Sequence, residues 1–308
     1  MPLHPTSVAF LEAIKELGGP SWPELPPTRS REIFESYRDR FGFKVEMHQV
    51  DELATDSGIP LRLYRPTAEA KSAVLYFHGG GWVIGNLNTH DALCRQLAHD
   101  SESIVIAVDY RLAPENPYPA AIDDVVDSFR FCSANAGNLG IDDKRLAVAG
   151  DSAGGNLAAA ICLRARDADW QETIAAQVLI YPVIARDMAT PSYQDYAEGH
   201  LLTRDTMLWF WQQYLGTTDI EQANCPYADL RGHDLKNLPP AFIATAEYDV
   251  LRSEGQQYAA RLRQAGVPTE ARCYDGMLHA FIHNSRVFED GLRASREIGQ
   301  WLQQALSS

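Results

Sequence analysis

The pentapeptide Gly150-Asp151-Ser152-Ala153-Gly154 constrains this chain more than any other feature. The residues before it, Arg145-Leu146-Ala147-Val148-Ala149, read as a short buried strand. Those after it, Gly155-Asn156-Leu157-Ala158-Ala159-Ala160-Ile161, open a helix. A serine between two such elements sits in a sharp, strained turn. The flanking glycines belong there because neighbouring backbone comes close and side chains would clash. Such a turn raises the serine hydroxyl at the end of the sheet. It also aims the next backbone N–H, that of Ala153, toward the same space, where it can meet a developing oxyanion.

A second glycine-rich segment, His78-Gly79-Gly80-Gly81-Trp82, follows the apolar run Ala73-Val74-Leu75-Tyr76-Phe77, a good buried strand. Three consecutive glycines are costly in conformational entropy and make sense where backbone must approach a ligand closely. A phosphate cradle would need G-x-x-x-x-G-K-[ST], or G-x-G-x-x-G opening a helix, and neither is present. The segment resembles the HGGG loop that follows the third strand in lipases and esterases and supplies oxyanion N–H donors, a likeness that implies that role for Gly79 and Gly80. His78 reads as a hydrogen bonder that shapes the loop, and Asp151 as a group that stabilises the turn.

Together with Val83-Ile84-Gly85, Tyr110-Arg111-Leu112-Ala113-Pro114-Glu115 and Gly155-Asn156, these motifs resemble the hormone-sensitive-lipase-like esterases, the GDSAG branch of the bacterial carboxylesterases. The resemblance runs from about the first strand to the last helix. It implies an α/β-hydrolase fold, with an eight-stranded, mostly parallel sheet flanked by helices and covered by a helical cap. It also implies a serine carboxylesterase acting on short- to medium-chain acyl esters through an acyl-enzyme, with no metal and no cofactor. Members of the family often dimerise through the last edge strand, here residues 269–274.

In this fold the triad follows the chain order serine, acid, histidine. Of nine histidines, His279 lies just beyond an expected strand at 269–274, in Gly276-Met277-Leu278-His279-Ala280-Phe281. The family has its catalytic histidine in a similar G-x-x-H-x-F setting. His283 is the rival, and an H-x-x-x-H pair suggests a metal, but no Glu lies between the two and no third ligand is evident. The expected acid is Asp249, in the loop Glu247-Tyr248-Asp249-Val250-Leu251 after an expected strand at 241–246. The family has its aspartate in a similar D-x-L segment; Glu247 and Glu254 are the neighbouring alternatives. The catalytic set is therefore Ser152, Asp249 and His279, with Gly79, Gly80 and Ala153 as oxyanion donors. Two other readings share this scaffold: an amidase or lactonase on the same triad, and a non-catalytic small-ligand receptor. A usable His279 argues against the receptor.

Alternating strands and helices imply a parallel sheet with crossovers. The strands are expected near 45–51, 59–65, 73–77, 104–108, 145–149, 176–181, 241–246 and 269–274. Residues 1–44 are expected to form the N-terminal part of the cap, and 45–308 the catalytic domain with a cap insertion within 183–240. That insertion carries the aromatic run from Met207 to Leu215. A net charge of −14 disfavours nucleic acid and anionic membranes as partners. Five cysteines without C-x-x-C spacing, no signal-peptide pattern and no run of eighteen apolar residues point to a cytoplasmic chain with free thiols. The expected partner is a small-molecule ester, with a homodimer left open.

Overall fold

The computed structural model describes residues 2–170 and 172–307. Its centre is one sheet of eight strands: β1 (Gln49–Ala54), β2 (Pro60–Arg65), β3 (Ala73–Phe77), β4 (Ile104–Val108), β5 (Leu146–Asp151), β6 (Gln177–Ile180), β7 (Ala241–Tyr248) and β8 (Thr269–Leu278). Across the sheet they lie in the order β1-β2-β4-β3-β5-β6-β7-β8. β2 is antiparallel to both its neighbours, and every later pair is parallel. This is the mostly parallel α/β sheet that the strand–helix alternation implies.

Among the described residues three α-helices precede the sheet: α1 (Pro5–Leu17), α2 (Pro27–Ser36) and α3 (Arg38–Phe41). α4 (Asp91–Ser101) follows β3, and α5 (Ala120–Ala134) and α6 (Ala136–Leu139) follow β4. α7 (Ala153–Asp167) follows β5, and α8 (Pro191–Asp195) and α9 (Arg204–Leu215) lie between β6 and β7. α10 (Arg252–Gln264) and α11 (Glu289–Ala305) follow the last two strands. α2 begins at Pro27 because proline fits the first helical position, where no N–H is required.

Every residue of β3 and β4 is buried, because helices cover both faces of the sheet. Side-chain alternation divides the core in two. Leu75 and Phe77 join Ile122, Phe129, Leu157, Ile161 and Leu262, from α5, α7 and α10. Val74 and Tyr76 point the other way, to Leu93, Leu97, Ile298 and Leu302 of α4 and α11.

Two strands depart from expectation. β1 starts at Gln49 and not near 45, because its register is set by pairing with β2 from Gln49↔Arg65 to Ala54↔Pro60. A turn tightened by Thr55 N–H to the Ile59 carbonyl (3.0 Å) closes this hairpin. β8 runs on to Leu278, past an irregularity opposite Ala246 and Tyr248, so His279 leaves directly from the strand end. Among the described residues no helix is long and apolar enough to cross a membrane.

Candidate active site

The C-terminal ends of β3, β5, β7 and β8 lie along one rim of the parallel sheet, the usual location of ligand sites in such sheets. β5 delivers Ser152 at φ 55° and ψ −118°, a left-handed conformation that costs a non-glycine residue free energy. Close packing enforces the turn. A Cβ on Gly154 would lie 1.9 Å from the Phe77 carbonyl oxygen, so α7 can approach β3 only with glycine there.

The structure brings Ser152, His279 and Asp249 together. His279 Nε2 lies 3.1 Å from Ser152 Oγ, and His279 Nδ1 lies 2.7 Å from Asp249 Oδ2. A carboxylate can only accept, so it fixes the proton on Nδ1 and leaves Nε2 as an acceptor facing the serine. Asp249 is fully buried and also accepts from the Leu251 N–H at 2.9 Å. The Tyr181 ring, 4.7 Å from the imidazole, walls its other side.

The alternatives lie elsewhere. His283 Nε2 donates to the Thr89 carbonyl at 2.9 Å, and its ring stacks on His90. It does not converge with His279. Among the described residues no group of three His, Cys, Asp or Glu side chains is placed to hold a metal ion. Glu247 accepts from the Gly276 N–H at 2.7 Å. Glu254 is buried, and it accepts from the Ile184 N–H at 2.8 Å.

Of the three N–H groups expected to face an oxyanion, that of Gly79 is turned elsewhere. It donates to Asp151 Oδ1 at 2.8 Å, and its single hydrogen is thereby used. The N–H groups of Gly80, Gly81 and Ala153 have no hydrogen-bond partner among the described residues. Ala153 is the first residue of α7, where no intrahelical acceptor exists. Gly81 has φ +59°, and a Cβ there would fall 2.1 Å from the ring of Phe210 in α9. Nothing in the sequence told Gly79 from Gly81, because the difference depends on a carboxylate 72 residues away.

Asp151 also accepts from the Tyr76 hydroxyl at 2.7 Å, and His90 Nε2 stands 3.5 Å away. Burial alone would raise its carboxyl pKa, but the His90 ring and the Tyr76 hydroxyl hold it well below the usual carboxylate range. The group therefore does more than stabilise its own turn: it ties β5 to the glycine loop. Burial first, and then His90, push His78 and His283 down to about 3, so both rings stay neutral near pH 7. His78 lies flat on Tyr110 at 4.3 Å and its Nδ1 donates to the Gly79 carbonyl at 2.8 Å, which shapes the loop.

Residues 74–283 match the family described as the α/β hydrolase fold. An ethyl acetate hydrolase of Pseudomonas putida is 37% identical over 324 aligned positions, covering 99% of this chain and 100% of that protein. A carboxylesterase of Mycobacterium tuberculosis is 43% identical over 229 residues, 73% of this chain and 72% of its own. Among solved structures, a hyperthermophilic esterase from the archaeon Pyrobaculum calidifontis superposes with a TM-score of 0.93 at 38% identity, covering 100% of both chains.

Proposed function

This chain belongs to the α/β-hydrolase family, in its hormone-sensitive-lipase-like branch, and is a carboxylic ester hydrolase; from that premise we propose that Ser152, His279 and Asp249 perform the hydrolysis. One observation carries the reading: Ser152 Oγ stands 3.1 Å from a histidine nitrogen whose ring partner is 2.7 Å from a buried carboxylate. Ser152 Oγ attacks the ester carbonyl carbon as His279 Nε2 takes its proton. Asp249 stabilises the imidazolium without becoming protonated. The tetrahedral oxyanion is held by the N–H groups of Gly80, Gly81 and Ala153, and the α7 N-terminus adds its positive dipole end. His279 then protonates the departing alcohol. Water, deprotonated by the same nitrogen, releases the acid from the acyl-serine.

The substrates are short- to medium-chain acyl esters, a reading supported by the likeness to an ethyl acetate hydrolase and by Phe210 of α9 lying against Gly81 of the glycine loop. We place the enzyme in the cytoplasm, which suits five free thiols, four of them buried. β8 is an edge strand and offers its backbone to a second copy of the chain; size-exclusion chromatography distinguishes monomer from dimer.

Ser152→Ala tests the core of this reading. Loss of a triad nucleophile lowers kcat on the order of 10⁶-fold, while the circular dichroism spectrum and melting temperature stay near wild type. An organophosphate should modify Ser152 alone. Substantial ester hydrolysis by pure Ser152→Ala protein would exclude it as the nucleophile.

A further inference from the structure

We propose that Arg31, on α2, is a positioning residue for ester hydrolysis: it holds the glycine loop in the shape that presents the Gly80 and Gly81 N–H groups to the oxyanion. The proposal rests on the oxyanion reading given above. The guanidinium bridges two loops distant in sequence. Its Nε donates to the Val83 carbonyl at 2.7 Å, and its Nη2 donates to the Ala113 carbonyl at 2.7 Å. Nη1 and Nη2 also form a fork on Glu115, at 3.0 and 2.6 Å.

Both carbonyls belong to the frame of the loop. The Val83 and Ile84 N–H groups both return to the Gly80 carbonyl, at 3.0 and 2.9 Å, so Val83 closes the turn in which Gly80 and Gly81 sit. The Ala113 N–H donates to the Trp82 carbonyl at 2.9 Å, which joins the second loop to the same turn. Val83 and Ala113 are buried, so loss of the arginine leaves two interior carbonyls without this donor. One turn further along α2, Glu35 accepts from Asn86 Nδ2 at 2.7 Å and Asn88 Nδ2 at 3.2 Å, a second hold just beyond the loop.

The opposite side of the turn is gripped by α9. Trp82, at φ 60°, stacks on Tyr214 with centroids 4.2 Å apart and planes 7° apart. Phe210 covers Gly81. The turn is therefore clamped between α9 and a single arginine. The Arg31–Glu115 ion pair is not the source of the effect, because its side chains are 27% and 50% exposed and such pairs contribute little. What matters is the planar fork, which serves three acceptors in fixed directions as a lysine cannot. A small shift of an oxyanion donor is felt mainly in the transition state, where the charge develops.

The test compares Arg31→Gln, Arg31→Lys and Ser152→Ala with wild type on p-nitrophenyl butyrate. It also measures inhibition by a trifluoromethyl ketone, which forms an alkoxide adduct on the serine, and by the matching methyl ketone, which binds without one. Arg31→Gln should lower kcat roughly 10-fold, a fraction of the loss from deleting an oxyanion donor, with KM nearly unchanged. Affinity for the trifluoromethyl ketone should fall by the same factor, and that for the methyl ketone should not. Arg31→Lys should fall between Arg31→Gln and wild type. A purely structural role predicts a lower melting temperature with kcat per folded molecule unchanged, and that result overturns the proposal. If Arg31→Gln fails to fold, Arg31→Lys decides on the same two readouts. An active Ser152→Ala would instead overturn the serine reading, so the two failures are distinguishable.

Discussion

Among the described residues the Glu254 carboxyl forms no ion pair. It is 3% exposed, its Oε1 accepts from the Ile184 N–H, and its Oε2 has no hydrogen-bond partner among the described residues. Burial, reinforced by the Asp249 and Asp229 charges, pushes its pKa well above 4.5. Below pH 4.5 the folded and unfolded chains both hold this proton. As pH rises further, the unfolded chain releases it and the folded chain keeps it, so stability falls by about 1.4 kcal/mol per pH unit until the folded group ionises. Glu254→Gln keeps the shape and removes the titration. Its melting temperature should match wild type near pH 4 and exceed it progressively toward pH 8. An offset that does not change with pH would assign Glu254 an ionised carboxylate. At this scale the sequence was most informative where chemistry is local. Ser152 sits in a five-residue signature, and Asp249 and His279 follow strand ends. The Gly79 N–H, Glu254 and Arg31 were illegible because each acquires its role from a partner that folding brings to it.

At the scale of elements, α9 has two faces with different duties. Trp211 is fully buried, with its ring centroid 4.8 Å from that of Trp82, whereas Phe210 lies over Gly81. Each methylene that fits a closed apolar space contributes about 0.8 kcal/mol, so kcat/KM should rise with acyl length until the space is full and then drop. The optimum is expected at roughly four to eight carbons. Phe210→Ala should move it to longer chains. Trp211→Ala should cost about 3–5 kcal/mol of stability and leave the optimum in place. A p-nitrophenyl ester series with thermal melts checks both. A wild-type preference for sixteen-carbon esters would show that α9 does not bound the pocket. β3 and β4 could be placed to the residue from sequence because burial on both faces writes an uninterrupted apolar run. β1 could not, since its exposed positions carry no such record and its register comes from β2.

At the scale of the molecule, the groups proposed to react stand on strand ends separated by about two hundred residues of chain, from the glycine loop to His279. Among the described residues β8 pairs with β7 alone, so the imidazole reaches the serine only when the far edge of the sheet has docked. On refolding from urea, far-ultraviolet ellipticity should recover before ester hydrolysis, and hydrolysis should appear together with hydrogen-exchange protection of residues 269–278, because non-local strand pairing is slow. Activity returning while β8 amides still exchange freely would refute this order. Turnover is in that sense a clock on assembly. On the proposed mechanism, a chain growing from its N-terminus holds its nucleophile long before it holds a base, and so stays inert toward esters until β8 arrives.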